Sequence, residues 1–358
     1  MSDAPRRSTI PCVACGQAVS EDLVDGLCRA CFVLKNRFSA MPQNVDLEVC
    51  VHCGARKRGE IWVDDTLPYE ATIEAAVEEA VSVDRRVKAA AVDVELKGED
   101  QRNFLATVKV AGSAEGIAFE EIHTPRARVK NATCLRCSRI QGGYYEAVIQ
   151  LRAEDRDIDD EELARARAVA SRAIERIVGD GDRNAFVLKD EFHHGGLDVY
   201  VGTINAARIL AKALSNEMGG RQRESAKLVG QKDGRDIFRL TFLVKIPSYR
   251  VGDFVLVAER PHLVTAIQQK RVSLGDPVTG AIHSRERDDL ERVTVLARRE
   301  AREAVVVSAT GSELQLLDPW TYATVSVLRP SFFAGETPAT VHVARHEGEL
   351  FVFPPRAS

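Results

Sequence analysis

All eight cysteines of this 358-residue chain stand in C-x-x-C pairs: Cys12/Cys15, Cys28/Cys31, Cys50/Cys53 and Cys134/Cys137. Unrelated thiols would not all fall into one motif. Two thiolates three positions apart on a tight turn point at the same cation, and two such pairs complete a tetrahedral shell around Zn²⁺. The first two pairs read C-x2-C-x12-C-x2-C, close to zinc-ribbon and treble-clef spacings. Gly16 and Gly54 each follow the second cysteine of a pair. A residue without Cβ lets the backbone turn there and aim N–H groups at sulfur. After Cys31 the run Phe32 to Phe38 has helical spacing. That places Cys28 and Cys31 at a helix N-terminus, where the dipole favours thiolate.

Cys50/Cys53 and Cys134/Cys137 are separated by 80 residues. By elimination they share a second ion, and the segment from about 60 to 130 becomes an insertion pinned at both ends. Spacing alone leaves swapped pairings open, and ligand type leaves zinc versus iron open. Disulfides suit an oxidising compartment, and a redox centre needs one C-x-x-C, not four. A closed four-thiolate site has no place for a water, so two structural Zn²⁺ are expected. Pro11-Cys12-Val13-Ala14-Cys15 has the P-C-x-x-C tail of zinc deaminases, but no H-x-E precedes it. His52, inside the third pair, is assigned to loop packing or surface contact.

Charge narrows the partners. Lys and Arg number 49 against 53 Asp and Glu, a net charge of -4. That excludes a globally basic nucleic-acid coat, so an RNA site must be a local patch. Hydrophobic residues at 45% suffice for cores of ordinary size. No apolar run approaches the roughly 20 residues that span a bilayer. Met1–Ser8 lacks the apolar stretch of a signal peptide, so the expected compartment is the cytoplasm. Residues 61–120 carry a net of -7, read as a solvated face or an acidic partner surface. Cations gather beside the metal ligands instead: Arg56, Lys57 and Arg58, then Arg126, Arg128, Lys130, Arg136 and Arg139. These are the candidate RNA-phosphate contacts, with Trp62, Tyr144 and Tyr145 placed to stack on unpaired bases. The competing reading is that they offset the roughly -2 charge of zinc held by four thiolates.

The fold class expected is multidomain α+β. Residues 1–150 form a treble-clef-like zinc domain with a helix near Tyr69–Val83, strands in Val87–Val110 and Gly116–Ile122, and a closing strand Tyr144–Leu151. Residues 151–247 alternate helix, two strands, helix, two strands. Acidic residues open the first helix, Thr203 caps the second, and Gly219-Gly220 stops it. Arg221, Arg223 and Lys227 form a smaller basic group there, and Pro247 begins a linker. Residues 248–358 read as short strands with turn residues, an SH3-like barrel opening at Arg250–Val255 followed by an OB-like barrel. There is no internal repeat beyond C-x-x-C.

Four C-x-x-C pairs in this order, the run Cys134–Arg152 and the late Leu317-Asp318-Pro319-Trp320-Thr321-Tyr322 together carry a resemblance. The chain resembles the nonsense-mediated-decay-three family, the export adapter of the large ribosomal subunit, over nearly its whole length. The resemblance implies an N-terminal zinc domain, a ribosomal-protein-like α+β domain and a domain like translation factor five-A. It implies docking on the joining face of the large subunit, over the tRNA sites and reaching the L1 stalk, with the eight cysteines as zinc ligands. Eukaryotic members extend past the barrels with export and import signals. This chain ends at Phe351–Ser358, so it resembles the short archaeal members, with an expected role in subunit maturation or quality control.

The expected function is a non-enzymatic cytoplasmic factor, a monomer off the ribosome, with rRNA and ribosomal proteins as partners and neither membrane nor small-molecule substrate. One rival is a zinc-dependent protein–protein adaptor without RNA contact. The other is an RNA-modifying enzyme, for which His346/Glu347 is the candidate pair; no Walker loop or nucleophile elbow supports it.

Overall fold

The computed structural model describes residues 10–19, 23–64, 67–232, 234–333, 335 and 337–355. Met1–Ser8 and Arg356–Ser358, used above in reading the two ends of the chain, lie outside the described residues. Contacts divide the chain into two units, Met1–Ser138 and Arg139–Ser358.

The first unit opens with β1 (Ile10–Pro11) paired to β2 (Ala18–Val19), then α1 (Arg29–Lys35). β3 (Ser39–Ala40), β4 (Asn44–Cys50), β5 (Arg56–Arg58) and β6 (Ile61–Val63) lead to α2 (Tyr69–Glu79). β7 (Ser82–Val83), β8 (Val87–Gly98), β9 (Asn103–Ala114), β10 (Ile117–His123) and β11 (Arg126–Ala132) follow. The main sheet runs β10-β9-β11-β4-β5-β6, with β8 also on β9. Its strands alternate: Phe104, Ala106, Val108 and Val110 of β9, with Ala127 and Val129 of β11, turn inward. Phe32 of α1 and Ile73, Ala76 and Val77 of α2 join that core. β8 and β9, read as one strand-rich run, are split by a turn in which the Asp100 carboxylate accepts the N–H groups of Arg102 and Asn103 at 2.7 and 2.8 Å.

One pairing matters most for the sulfurs. β11 lies parallel to β4, with Ala132 opposite Cys50. Parallel neighbours need a long crossover, and residues 51–125 supply it. Both strands therefore end at the same edge of the sheet, and the segments leaving them carry the third and fourth C-x-x-C pairs.

Helix α3 (Leu135–Gln141), not foreseen, bridges the division in sequence. The second unit continues with β12 (Ala147–Ala153), α4 (Asp160–Gly179), β13 (Val187–His193), β14 (Gly196–Val201), α5 (Ile204–Glu217), β15 (Arg221–Lys232) and β16 (Arg235–Ile246). Its sheet runs β13-β14-β12-β16-β15, with only β12–β16 parallel among these pairs. The strand expected to close the first unit is thus corrected. β12 is the central strand of the second unit's sheet, because Ile149 and Leu151 pack with Val199, Phe242 and Leu210. Helices α4 and α5 cover one sheet face through Ala166, Val169, Ala207 and Leu214. α4 starts at a capping box, with the Asp159 side chain on the Glu162 N–H and the Glu162 side chain on the Asp159 N–H. The Thr203 hydroxyl accepts the Ala206 N–H at 3.2 Å, the cap expected for α5.

Two five-stranded antiparallel sheets follow. The first, β17 (Phe254–Val257), β18 (Arg260–Ile267), β19 (Arg271–Gly275), β20 (Ile282–Glu286) and β21 (Val295–Leu296), wraps Val255, Val264, Val272 and Leu274. The second, β22 (Arg302–Ala309), β23 (Glu313–Leu317), β24 (Thr324–Leu328), β25 (Thr340–His346) and β26 (Glu349–Val352), wraps Leu314, Leu316, Val341 and Val343. A shared cluster of Phe254, Leu296, Ala344 and Phe353 joins them. Pro247 does not begin a loose linker: Arg156 donates to the carbonyls of Pro247 at 3.0 Å and Ser248 at 2.7 Å, and Tyr249 is buried behind them.

Candidate metal centres

Eight sulfurs form two groups of four, Cys12/Cys15/Cys28/Cys31 and Cys50/Cys53/Cys134/Cys137, with the Sγ atoms of each group within 4.8 Å of one another. All eight are free thiols. A Zn–S bond of about 2.3 Å puts the sulfurs of a tetrahedron roughly 3.8 Å apart. Cys15 and Cys28 stand 3.8 Å apart, and Cys53 and Cys134 3.7 Å. The four-thiol groups therefore fit a tetrahedral cation.

Local chain geometry builds both groups alike. Gly16 and Gly54 have φ of 73° and 74°, the left-handed turn expected of them. Their N–H groups close the knuckles on the carbonyls of Cys12 at 2.8 Å and Cys50 at 2.9 Å. Cys28 is the N-cap of α1, and Cys134 immediately precedes α3. The Cys28 N–H donates to Cys12 Sγ at 3.3 Å, and the Cys134 N–H to Cys50 Sγ at 3.4 Å. Each group thus joins a knuckle to a ligand-bearing helix turn. Around the second, Ala55 and the half-buried Trp62 pack on the cysteines.

The electrostatics agree. The backbone N–H of Cys28, followed by those of Cys15 and Ala14, lowers the Cys12 thiol to about 6. Burial pushes Cys50 up, but the N–H groups of Cys134, His52 and Cys53 outweigh it and bring that thiol to about 6. The neighbouring sulfurs Cys15 and Cys28 drive Cys31 up to about 12. Burial, then the adjacent sulfurs, raises Cys137. Each group favours one thiolate and resists four. A divalent cation at the centre reverses that resistance by replacing the protons.

The basic residues are placed less simply. β4 aligns Val49 with both Asn131 of β11 and Arg56 of β5, so the basic segments 56–58 and 126–130 meet in one sheet. Carboxylates interleave with them. Arg128 and Lys130 share Asp46 at 2.9 and 2.8 Å, Lys57 reaches Glu48 at 3.4 Å, and Arg126 reaches Glu99 at 3.7 Å. Arg58 pairs with Glu79 at 2.7 Å. Arg56 departs from the expectation of an RNA contact. It is 3% exposed and held by Glu79 at 3.0 Å, because its position in β5 turns inward. Arg136 is half-buried on α3. Arg139 belongs to the second unit, lying 4.7 Å over the Tyr144 ring and 3.9 Å from Glu146. Trp62, half-buried, packs on the second sulfur group.

Residues 12–142 match the family model described as NMD3, N-terminal domain, and residues 144–246 match NMD3, second domain. The chain belongs to the NMD3 family. No curated protein matches it. A solved structure titled eukaryotic translation initiation factor 5A from Methanococcus jannaschii is 17% identical, with a TM-score of 0.21, over 30% of this chain and 90% of that one. The junction between the two NMD3 models falls just before β12, as the strand pairing does.

Two further polar groups in this NMD3 chain bear on catalysis. His346, at the half-buried end of β25, and the exposed turn residues Glu347 and Glu259 bring ligand atoms within 4.8 Å of one another. The Ser39 hydroxyl donates to Glu121 at 2.5 Å and lies 2.7 Å from His123 Nε2. Ser39 is buried, and Glu121 also accepts the N–H groups of Phe38 and Ser39. This group fastens β3 to β10 rather than presenting a nucleophile.

Proposed function

We propose that this protein is a non-enzymatic, cytoplasmic ribosome-associated factor that binds rRNA on the joining face of the large subunit. It would occupy the tRNA sites there until it is released. Membership of the NMD3 family carries this reading, since that family fits a ribosome-associated factor. The four-thiol groups support a structural role for two Zn²⁺, which would supply a rigid tetrahedral node at each knuckle. The chain's own residues do the rest. Parallel β4 and β11 hold the second node where both strands end; Lys130 and Lys57 present exposed or half-exposed ammonium groups nearest it, and Arg128 and Arg126 continue the row away from it along β11. An arriving phosphate would compete with Asp46 and Glu48 for those cations, so contact there is reversible and salt-sensitive. Partners would be rRNA and ribosomal proteins, including the L1 stalk, with the free protein monomeric.

Co-sedimentation with purified large and small subunits tests this. Binding to large subunits is expected to fall steeply with salt. Arg128→Glu with Lys130→Glu should lower the salt slope by about two and leave zinc content unchanged. Equal binding to both subunits, or to neither, would overturn the proposal. The interleaved carboxylates are the observation that favours the adaptor reading. On that reading, nuclease treatment of the ribosomal particles would leave capture of ribosomal proteins intact.

A further inference from the structure

Helices α4 and α5 cover one face of the β13-β14-β12-β16-β15 sheet, and the opposite face is open. Val148, Gln150, Arg152 and Tyr200 point to that side and stay half-exposed, while Arg223, Arg239 and Lys245 are exposed. Two features distinguish this face.

The first is aromatic. Tyr145 meets the edge of Tyr200, with ring centroids 5.0 Å apart and planes at 86°. The Arg239 guanidinium lies 4.1 Å from the Tyr145 centroid and donates to its hydroxyl at 3.1 Å. Lys189 sits 4.6 Å from the Tyr200 centroid and is paired with Glu191 at 2.8 Å. Flat π surfaces with cations already seated on them are suited to stacking unpaired bases.

The second is unbalanced charge. The β15–β16 register sets Lys227 opposite Arg239 and Arg221 opposite Lys245. Like charges directly across a strand pair are destabilising. Arg221 is answered by Asp288 and Glu291, and Arg152 by Asp198 at 2.6 Å. Arg223, Lys227 and Lys245 have no ion pair among the described residues. Arg152, Arg221, Arg223, Lys245 and Arg292 border a surface groove of about 580 Å³, outnumbering the three carboxylates there, Glu154, Asp155 and Glu291. The Lys227/Arg239 pair, with no carboxylate on either among the described residues, is tolerated best when an external anion bridges it.

We infer that this open sheet face is a binding site for single-stranded RNA. Bases stack at the Tyr145/Tyr200/Arg239 corner, and phosphates run along Lys227, Arg223 and Lys245 to the groove. A duplex offers phosphates but hides its base faces, so it uses only half of the site. An acidic polypeptide would satisfy the cations and leave the aromatic corner idle. The inference rests on the ribosomal reading only in taking the RNA to be ribosomal.

The test uses the full chain and a labelled 12-nucleotide single-stranded RNA, the same sequence as a duplex, and polyglutamate as competitor. The single strand should bind more tightly than the duplex. Tyr145→Leu with Tyr200→Leu should weaken single-strand binding about tenfold or more and leave duplex binding unchanged. Arg223→Gln with Lys245→Gln should weaken both and lower the salt slope. Folding of each variant is checked by circular dichroism and thermal melting; should the double tyrosine variant not fold, Arg239→Gln takes its place with the same expected loss. Folded variants that bind the single strand like wild type would overturn the inference. So would a duplex bound equally well, or polyglutamate displacing RNA charge for charge. Running subunit co-sedimentation alongside separates the two readings. Subunit binding without single-strand binding removes this face and keeps the ribosomal role. Single-strand binding through this face without subunit binding does the reverse.

Discussion

Cys134 is fully buried, and its backbone N–H holds Cys50 Sγ. Cys134→Ser removes one of four thiolates, so elemental analysis should find the zinc content halved from two ions to one. Structural zinc contributes on the order of 10 kcal/mol in small domains, so the first unit should melt markedly earlier. Retention of two ions would contradict the four-thiolate assignment. Arg56 and Lys57 make a second single-residue contrast. Arg56→Ala deletes a buried, ion-paired side chain and should cost about 1–3 kcal/mol with little direct effect on RNA affinity. Lys57→Glu should do the opposite; denaturant titration and RNA binding of both variants check this. The cysteines were legible in the sequence because chelation leaves its mark in local spacing. The fate of Arg56 was not, because three consecutive cations reveal nothing about which one faces the core until β5 takes its place beside β4.

At the scale of elements, Arg156 couples α4 to the chain leaving β16. It binds both oxygens of Glu162 at 2.7 Å and the carbonyls of Pro247 and Ser248. Burial pushes the Glu162 carboxyl up, but the Arg156 hydrogen bonds and charge outweigh it and hold the pKa below the usual value. A carboxylate depressed in the folded state contributes stability above its unfolded pKa of roughly 4.3, and that stability is lost as pH falls through the lower folded value. Arg156→Ala should therefore cost about 3–5 kcal/mol at pH 7, and the gap from wild type should narrow as pH drops below about 4. Urea denaturation at the two pH values checks the sign; a gap that widens in acid would refute it. α4 and α5 were readable because caps and 3.6-residue periodicity are local signals. β19 and β20 were not: Ile282–Glu286 is exposed along its whole length and shows no alternation. The allegiance of β12 was also hidden, since its partners lie 45 or more residues away in sequence.

For the whole molecule, the distribution of cysteines sets what metal removal can do. All eight lie in Met1–Ser138, and none lies in the second unit. Each unit has its own core, one centred on Phe32, Phe38 and Val108, the other on Ile149, Leu210 and Phe242. Stripping metal should therefore weaken one unit and spare the other. Calorimetry of the zinc-loaded chain with and without a strong chelator should show one transition shifted to lower temperature and one unchanged. The two tryptophans, Trp62 and Trp320, allow an independent reading. Trp62 packs on the second sulfur group, while Trp320 packs against the β22–β26 core. In a Trp320→Phe variant, chelation should shift the remaining emission to the red as Trp62 loses its neighbours. In a Trp62→Phe variant, the Trp320 emission should not move. A Trp320 signal that followed the chelator would mean the two cores melt as one, and the division into a metal-dependent and a metal-independent unit would fail.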